Sequence, residues 1–141
     1  MILIDANLLI YSYDEASPFY REAASWLEAA FSTEPAVGMS WSAILAFVRF
    51  ATNPKLRRPV SFDAAFGVVE RWIDQPETRI LTPGPKHWSL LAGLIREGSA
   101  FGPLVTDAHI AALAIEHGAT LCTHDRDFTR FSKLKLRYPL S

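Results

Sequence analysis

Four aspartates of this 141-residue chain lie where an apolar run ends or a helical pattern begins. Asp5 follows four apolar residues, Asp107 opens a helical pattern, and Asp125 and Asp127 follow the apolar run at 119–123. Open α/β sheets bind ligands at the carboxyl ends of their strands, so these positions favour one shared site. Converging carboxylates repel one another unless a cation lies between them, and Mg²⁺ prefers oxygen ligands, with Mn²⁺ as an alternative.

Each of these aspartates also fits a purely structural role. Asp5 could be the N-cap of the helix that follows it, and Asp107 or its neighbour Thr106 could cap the later helix. Asp125 and Asp127 could form a turn after a strand. The metal hypothesis therefore requires the strand ending at Asp5 to lie close to the strand at 119–123.

The chemistry expected of such a site is phosphodiester hydrolysis. A divalent ion among carboxylates can activate a water molecule and offset charge on a phosphate. The chain contains neither a Gly-x-Ser-x-Gly elbow nor a P-loop, and its four histidines show no zinc-binding spacing. A small-molecule phosphatase is disfavoured because Asp5-Ala6-Asn7 stands where its Asp-x-Asp motif would be expected.

The elements that must position these residues alternate between strands and helices. Short apolar runs predict strands at residues 1–5, 36–39, 79–82, 119–123 and 134–140. Helical periodicity fills the intervening segments, with Ser40 and Ser61 as candidate N-caps. Because no tight hairpin signal occurs, we expect a mostly parallel central sheet flanked by helices in one α/β domain over residues 1–141.

Composition narrows the class of protein further. Half of the residues are hydrophobic, which is enough for a packed core, and no apolar run reaches the roughly 20 residues of a membrane span. No signal peptide is recognisable, and the single cysteine, Cys122, excludes a disulfide framework within one chain. These features predict a cytoplasmic protein without membrane contact, with Cys122 as a small core residue.

The charge pattern is compatible with a polyanionic substrate. The net charge is −1, but without the four aspartates named above 14 basic residues face 11 acidic ones, a net charge of +3. Two stretches, 55–58 and 126–137, are locally basic. Such stretches are usually solvated surface, and a role in binding substrate is the alternative interpretation.

The chain resembles the PIN-domain family, and within it the VapC-type toxins of bacterial and archaeal toxin–antitoxin modules. The stretches that carry the resemblance are Ile2–Tyr11, Phe47–Pro54, Val105–Leu121 and Thr123–Phe128. The resemblance implies a Rossmann-like PIN fold and a Mg²⁺-dependent endoribonuclease. It also implies inhibition by a cognate VapB-type antitoxin and, usually, a homodimer.

The resemblance also implies roles for individual residues. Asp5 and Asp107 would bind the metal directly, and Asp125 would complete the catalytic cluster. Asn7 and Thr106 would support the site, with Asp127 as a further possible member. Apart from the resemblance, the ribonuclease hypothesis assigns RNA contacts to basic or neighbouring residues: Arg49, Lys55, Arg57, Arg58 and His124.

One position departs from the family pattern. Many PIN domains carry a glutamate on the helix after the second strand, and Ala46 stands at the corresponding place here. We therefore expect one weakly held Mg²⁺. The same departure supports an alternative hypothesis, a PIN-fold binding protein with weak or no catalytic activity.

Overall fold

A five-stranded parallel sheet forms the centre of the protein in a computed structural model that describes residues 1–56 and 61–141. The strands are β1 (Ile2–Ile4), β2 (Val37–Met39), β3 (Thr78–Ile80), β4 (Thr120–Cys122) and β5 (Leu136–Arg137). Their order across the sheet is β3-β2-β1-β4-β5, and every neighbouring pair is parallel. The predicted α/β fold with a parallel sheet is confirmed.

Helices cover both faces of this sheet. They are α1 (Ala6–Tyr13), α2 (Tyr20–Thr33), α3 (Trp41–Ala51), α4 (Phe62–Ile73), α5 (His87–Gly98) and α6 (Leu104–Glu116), and a short 3-10 helix spans Arg126–Arg130. Side chains of β1 alternate between the two faces: Ile2 and Ile4 pack in one core cluster with α1 to α4, and Leu3 packs in the other with α5 and α6. The core therefore has two layers separated by the sheet.

The strand order explains why distant parts of the chain meet at one edge. From β1 the chain moves through β2 to β3, and it later returns to place β4 on the opposite side of β1. A reversal of this kind opens a crevice at the carboxyl ends of the two strands, which is where such folds bind ligands. Ile4 aligns with Cys122, and the Asp5 N–H donates to the Cys122 carbonyl at 3.0 Å. Asp5 and Thr123 consequently leave the sheet side by side.

Two of the predicted helix starts are confirmed and one is wrong. The hydroxyls of Ser40 and Ser61 accept the backbone N–H groups of Ala43 and Ala64, as N-caps do. Neither Thr106 nor Asp107 caps α6, since Pro103 holds the N-cap position without a side-chain hydrogen bond.

The reason for this difference lies just before the helix. Gly102 has a φ of +59°, and the turn it makes lets Pro103 begin the helix with a φ of −60°. Leu104 and Val105 therefore belong to the first turn of α6. Asp107 also lies in that first turn, close to the positive end of the helix dipole.

A partly buried polar contact joins α6 to α5. His87, the first residue of α5, bonds through Nδ1 to the Glu116 carboxylate and through Nε2 to His109 Nδ1 at 2.9 Å. His109 and Glu116 are two helical turns apart and so lie on one face of α6. The contact thus links the helix that carries Asp107 to the start of α5.

Two expectations from composition also have a structural counterpart. Cys122 is fully buried in β4, and burial raises the pKa of its thiol to about 12, which suits a core residue. Within residues 1–56 and 61–141, no helix combines the length and the apolarity needed to cross a membrane.

Candidate metal centre

Asp5 is held by hydrogen bonds to both of its carboxylate oxygens. Oδ1 accepts the Ala6 N–H at 2.8 Å, which caps α1, and Oδ2 accepts the Thr123 hydroxyl at 2.7 Å. Burial raises the pKa of Asp5, the bonds from Thr123 and Ala6 oppose that change, and the charge of Asp125 adds to it. Each oxygen keeps one lone pair that is available to a cation.

Thr123 is the centre of the hydrogen-bond network. Its side chain is fully buried, its hydroxyl donates to Asp5, and the same oxygen accepts the Asp125 N–H at 3.0 Å. The Asn7 amide also donates to this oxygen, at 3.3 Å. One hydroxyl thus fixes the ends of β1 and β4 relative to each other.

Thr123 was absent from the predicted site residues. The sequence signal that could have identified it is its position directly after an apolar strand, level with Asp5 across the sheet. That signal depends on β1 and β4 being neighbours.

Asn7 links the first turn of α1 to the loop after β4. In addition to its bond to Thr123, its Oδ1 accepts the His124 N–H at 3.4 Å. The predicted supporting residue therefore lies between the two segments that carry Asp5 and Asp125.

Three carboxylates come together beside Asp5. Oxygens of Asp107, Asp125 and Asp127 lie within 4.8 Å of one another, and in the described part of the chain this is the one such group of potential metal ligands. Asp125 is the N-cap of the 3-10 helix, and its Oδ1 accepts the Asp127 N–H at 2.8 Å. Asp107 is half-buried, whereas Asp127 is exposed.

Asp107 is close enough to the other three aspartates to be affected by their charges, and the four carboxylates together are called the acidic pocket below. Its pKa is raised to about 6, first by burial and then by the negative charges of Asp125, Asp5 and Asp127, whereas Arg130 lowers it. Four close carboxylates with one opposing cation are an unfavourable arrangement for the protein alone. A hard divalent cation with oxygen ligands fits this set, since it would remove the repulsion.

The other predicted site residues lie at the margins of this pocket. Thr106 is exposed at the start of α6, and no described residue hydrogen-bonds to its side chain. His124 lies between the buried Thr123 and Asp125, and its ring packs on Phe19 with the centroids 4.4 Å apart.

The predicted RNA-binding residues around the end of α3 are only partly described. Arg49 is exposed in the last turn of α3, and Lys55 is exposed in the turn that follows. Arg57 and Arg58 lie outside the described residues. Ala46 is half-buried on α3, and this helix contributes no carboxylate to the cluster.

Comparison with known proteins places the whole chain in one family. The family model of the PIN domain matches residues 2–134. The chain belongs to the PIN domain family. The sequence is 36% identical over 140 residues to Ribonuclease VapC37 of Mycobacterium tuberculosis, spanning 99% of this chain and 97% of that protein. It is 34% identical over 141 residues to Ribonuclease VapC33 of the same species, at 99% coverage of both.

A solved structure shows the same PIN fold at lower sequence identity. The VapBC2 complex of Rickettsia felis, bound to a promoter DNA fragment, contains a chain that matches this one with a TM-score of 0.69 at 19% identity. The match covers 97% of this chain and 98% of that chain. This PIN-domain protein therefore shares its fold with that chain over nearly its full length.

Proposed function

We propose that this PIN-domain protein is a Mg²⁺-dependent endoribonuclease that acts as the toxin of a VapBC-type toxin–antitoxin system. The observation that carries the proposal is the group of Asp107, Asp125 and Asp127 oxygens within 4.8 Å of one another, beside the half-buried Asp5. The VapC relatives are named ribonucleases, which supports RNA as the substrate.

The four carboxylates have different proposed roles at the metal. Asp5 and Asp107 are the proposed direct ligands, Asp125 completes the catalytic cluster, and Asp127 adds charge at its exposed side. A bound Mg²⁺, or Mn²⁺ in its place, would lower the pKa of a water molecule and offset charge on the scissile phosphate.

The remaining chemistry belongs to side chains of the protein. Asp125, beside the proposed metal ligands, can accept a hydrogen bond from the attacking water and orient it. Thr123 and Asn7 keep Asp5 and Asp125 in fixed positions, so little reorganisation is needed when substrate arrives. Arg130 offsets part of the negative charge around Asp107.

Purified protein incubated with total RNA tests the proposal. We expect cleavage with Mg²⁺, loss of cleavage with EDTA, and recovery when Mg²⁺ is added in excess. Asp107→Asn, purified identically, controls for contaminating nucleases. Cleavage that persists in EDTA or in this variant would refute the metal-dependent mechanism.

A second candidate function rests on Ala46. Because α3 supplies no carboxylate to the cluster, the protein could be a PIN-fold binding protein with weak or no activity. This alternative predicts tight binding to an antitoxin without RNA cleavage and without a growth defect on expression. The same RNA assay separates the two functions.

We also propose that the single domain, residues 1–141, forms a cytoplasmic homodimer and binds a VapB-type antitoxin. Large apolar side chains are exposed at Trp41, Leu45, Phe62, Phe66, Trp88, Phe101 and Val105. Contiguous exposed apolar side chains mark protein–protein contacts, and two pairs lie one helical turn apart here, Trp41 with Leu45 on α3 and Phe62 with Phe66 on α4. The Rickettsia felis relative was solved as a VapBC complex, which supports an antitoxin partner.

Analytical ultracentrifugation tests the assembly. The expected result is a dimer whose fraction rises with concentration, and a new species when the product of a short neighbouring gene is added. A monomer at every concentration would refute the dimer, and an unchanged profile with that product would refute the partner.

A further inference from the structure

The arginines of the basic segment 126–137 differ in how their guanidinium groups are used. Arg130 donates to the carbonyls of Asp127 and Gly98, at 3.0 and 2.9 Å, and Arg137 pairs with Glu34. Arg126 instead lies over the ring of Tyr138, with its Cζ 3.8 Å from the ring centroid. Among the described residues, no carboxylate or carbonyl accepts a hydrogen bond from its guanidinium.

Stacking on an aromatic ring orients a guanidinium without occupying its hydrogen-bond donors. The attraction acts through the face of the group, and the N–H donors lie along its edge. An exposed, pre-oriented guanidinium matches the two oxygens of a phosphate, which it can bind in a bidentate manner. Arg126 is exposed and therefore accessible to such a ligand.

Tyr138 contributes its ring to this arrangement. Its hydroxyl oxygen is buried and has no hydrogen-bond partner among the described residues. A buried hydroxyl without a partner costs stability, so the hydroxyl gives no reason for a tyrosine here. The aromatic ring does give a reason, because its face supports the guanidinium of Arg126.

The position of this pair relates it to the acidic pocket. Arg126 lies between Asp125 and Asp127 in the chain, and Tyr138 directly follows β5, the neighbour of β4. Both residues are thus at the carboxyl edge of the sheet. Arg130 is the cation whose charge lowers the pKa of Asp107. Arg126 instead extends over Tyr138, on the side of the acidic pocket toward β5.

We propose that Arg126, oriented by Tyr138, binds a backbone phosphate of the RNA next to the phosphate that is cleaved. The inference rests on the proposed ribonuclease function and specifies its substrate as a single strand that continues along the β4–β5 edge of the sheet. Single-stranded backbone suits this path because it can bend to reach both sites.

Binding of a single-stranded RNA at several salt concentrations tests the proposal. All proteins carry Asp107→Asn so that the RNA stays intact, and affinity is measured by fluorescence anisotropy with Mg²⁺. Arg126→Ala is expected to weaken binding several-fold and to reduce the slope of log K against log[salt] by about 0.7, the value for one lost phosphate contact on a single strand. Arg96→Ala, which removes an exposed arginine on α5, is the matched control and should keep the starting slope.

Three further variants separate charge from stacking. Arg126→Lys should retain the slope, because the charge remains, and lose affinity, because an ammonium group lacks the planar fork that binds a phosphate in a bidentate manner. Tyr138→Leu should weaken binding, and the conservative Tyr138→Phe should recover it. An RNA with a neutral methylphosphonate at the flanking position should weaken binding of the Arg126 protein and have little further effect on Arg126→Ala.

The outcomes test the Arg126 phosphate contact separately from the proposed ribonuclease function on which it rests. An unchanged slope for Arg126→Ala, or an equal change for Arg96→Ala, would overturn the phosphate contact even if the parent chain cleaves RNA. Failure of the parent chain to cleave the same RNA with Mg²⁺ would instead overturn the ribonuclease function.

Discussion

Asp5 and Asp107 face the same pocket, but the protein holds them in different ways. Asp5 follows β1, and both of its oxygens accept hydrogen bonds, from Ala6 and Thr123. Asp107 lies in the first turn of α6, and no described residue hydrogen-bonds to its carboxylate. Burial raises the pKa of both, yet only Asp5 receives hydrogen bonds that oppose the shift.

The site therefore has two halves. Hydrogen bonds fix the pre-positioned half, which contains Asp5, and the ligand-dependent half, which contains Asp107, needs the metal to offset its charge. Asp5, Asn7, Thr123 and Asp125 form one hydrogen-bonded unit across the ends of β1 and β4. Asp107 is positioned by its helix and is repelled by the neighbouring carboxylates. We therefore expect metal binding to change the energetics of Asp107 more than those of Asp5.

The largest expected effect comes from removing the charge of Asp107. Asp107→Asn should reduce Mg²⁺-dependent cleavage by more than the roughly 100-fold that loss of a supporting residue can cost. The metal-free variant should also unfold at a higher temperature than the parent, since the repulsion is gone. Thermal melts and cleavage rates, each with and without Mg²⁺, measure both effects. A variant that is less stable and still active would contradict the ligand-dependent role of this residue.

Loss of the Thr123 hydroxyl should have the next largest effect. Thr123→Val keeps the side-chain volume in a fully buried position and leaves Asp5 without one of its donors. We expect cleavage or Mg²⁺ affinity to fall about 10- to 100-fold, the usual cost of losing a residue that orients a ligand. Thr123→Ser retains the hydroxyl and serves as the control. Equal activity of the valine and serine variants would show that the pre-positioned half does not depend on this bond.

Acid pH should weaken metal binding through Asp107. Its pKa of about 6 is above the ordinary 3.8, so at pH 5 about nine-tenths of the group is protonated and apparent Mg²⁺ affinity should fall about tenfold. By the same linkage, this group makes the metal-free protein less stable as pH rises from 3.8 to about 6. Calorimetric titrations at pH 5 and pH 7.5 measure the affinities. Proton release on adding Mg²⁺ at pH 6, absent in Asp107→Asn, would assign the effect to this residue.

Asp127→Asn should have the smallest effect of the four changes. Asp127 is exposed and its charge acts on Asp107 less than those of Asp125 and Asp5 do. We expect a change of less than about tenfold in Mg²⁺ affinity, because solvent screens an exposed charge. A loss as large as that of Asp107→Asn would show that the ligand-dependent half is centred on the 3-10 helix.

The strands and the general position of the site could be predicted because they follow from local patterns. Five apolar runs became five strands, and the candidate aspartates each follow a strand or lie in the first turn of a helix. The start of α6 was predicted wrongly, because the turn made by Gly102 and Pro103 draws Leu104 and Val105 into the helix. The stacking of Arg126 on Tyr138 could not be predicted, since it depends on β5 lying beside β4.

The sequence by itself determined which residues could bind a divalent metal and which elements carry them. Residue type and local periodicity suffice for that, since both act over a few positions of the chain. Only the tertiary structure decided that Thr123 joins Asp5 to Asp125 and that Asp107 remains without a hydrogen-bonding partner among the described residues. Such contacts depend on strand order and register, which bring distant residues within a few ångströms and which no local pattern encodes.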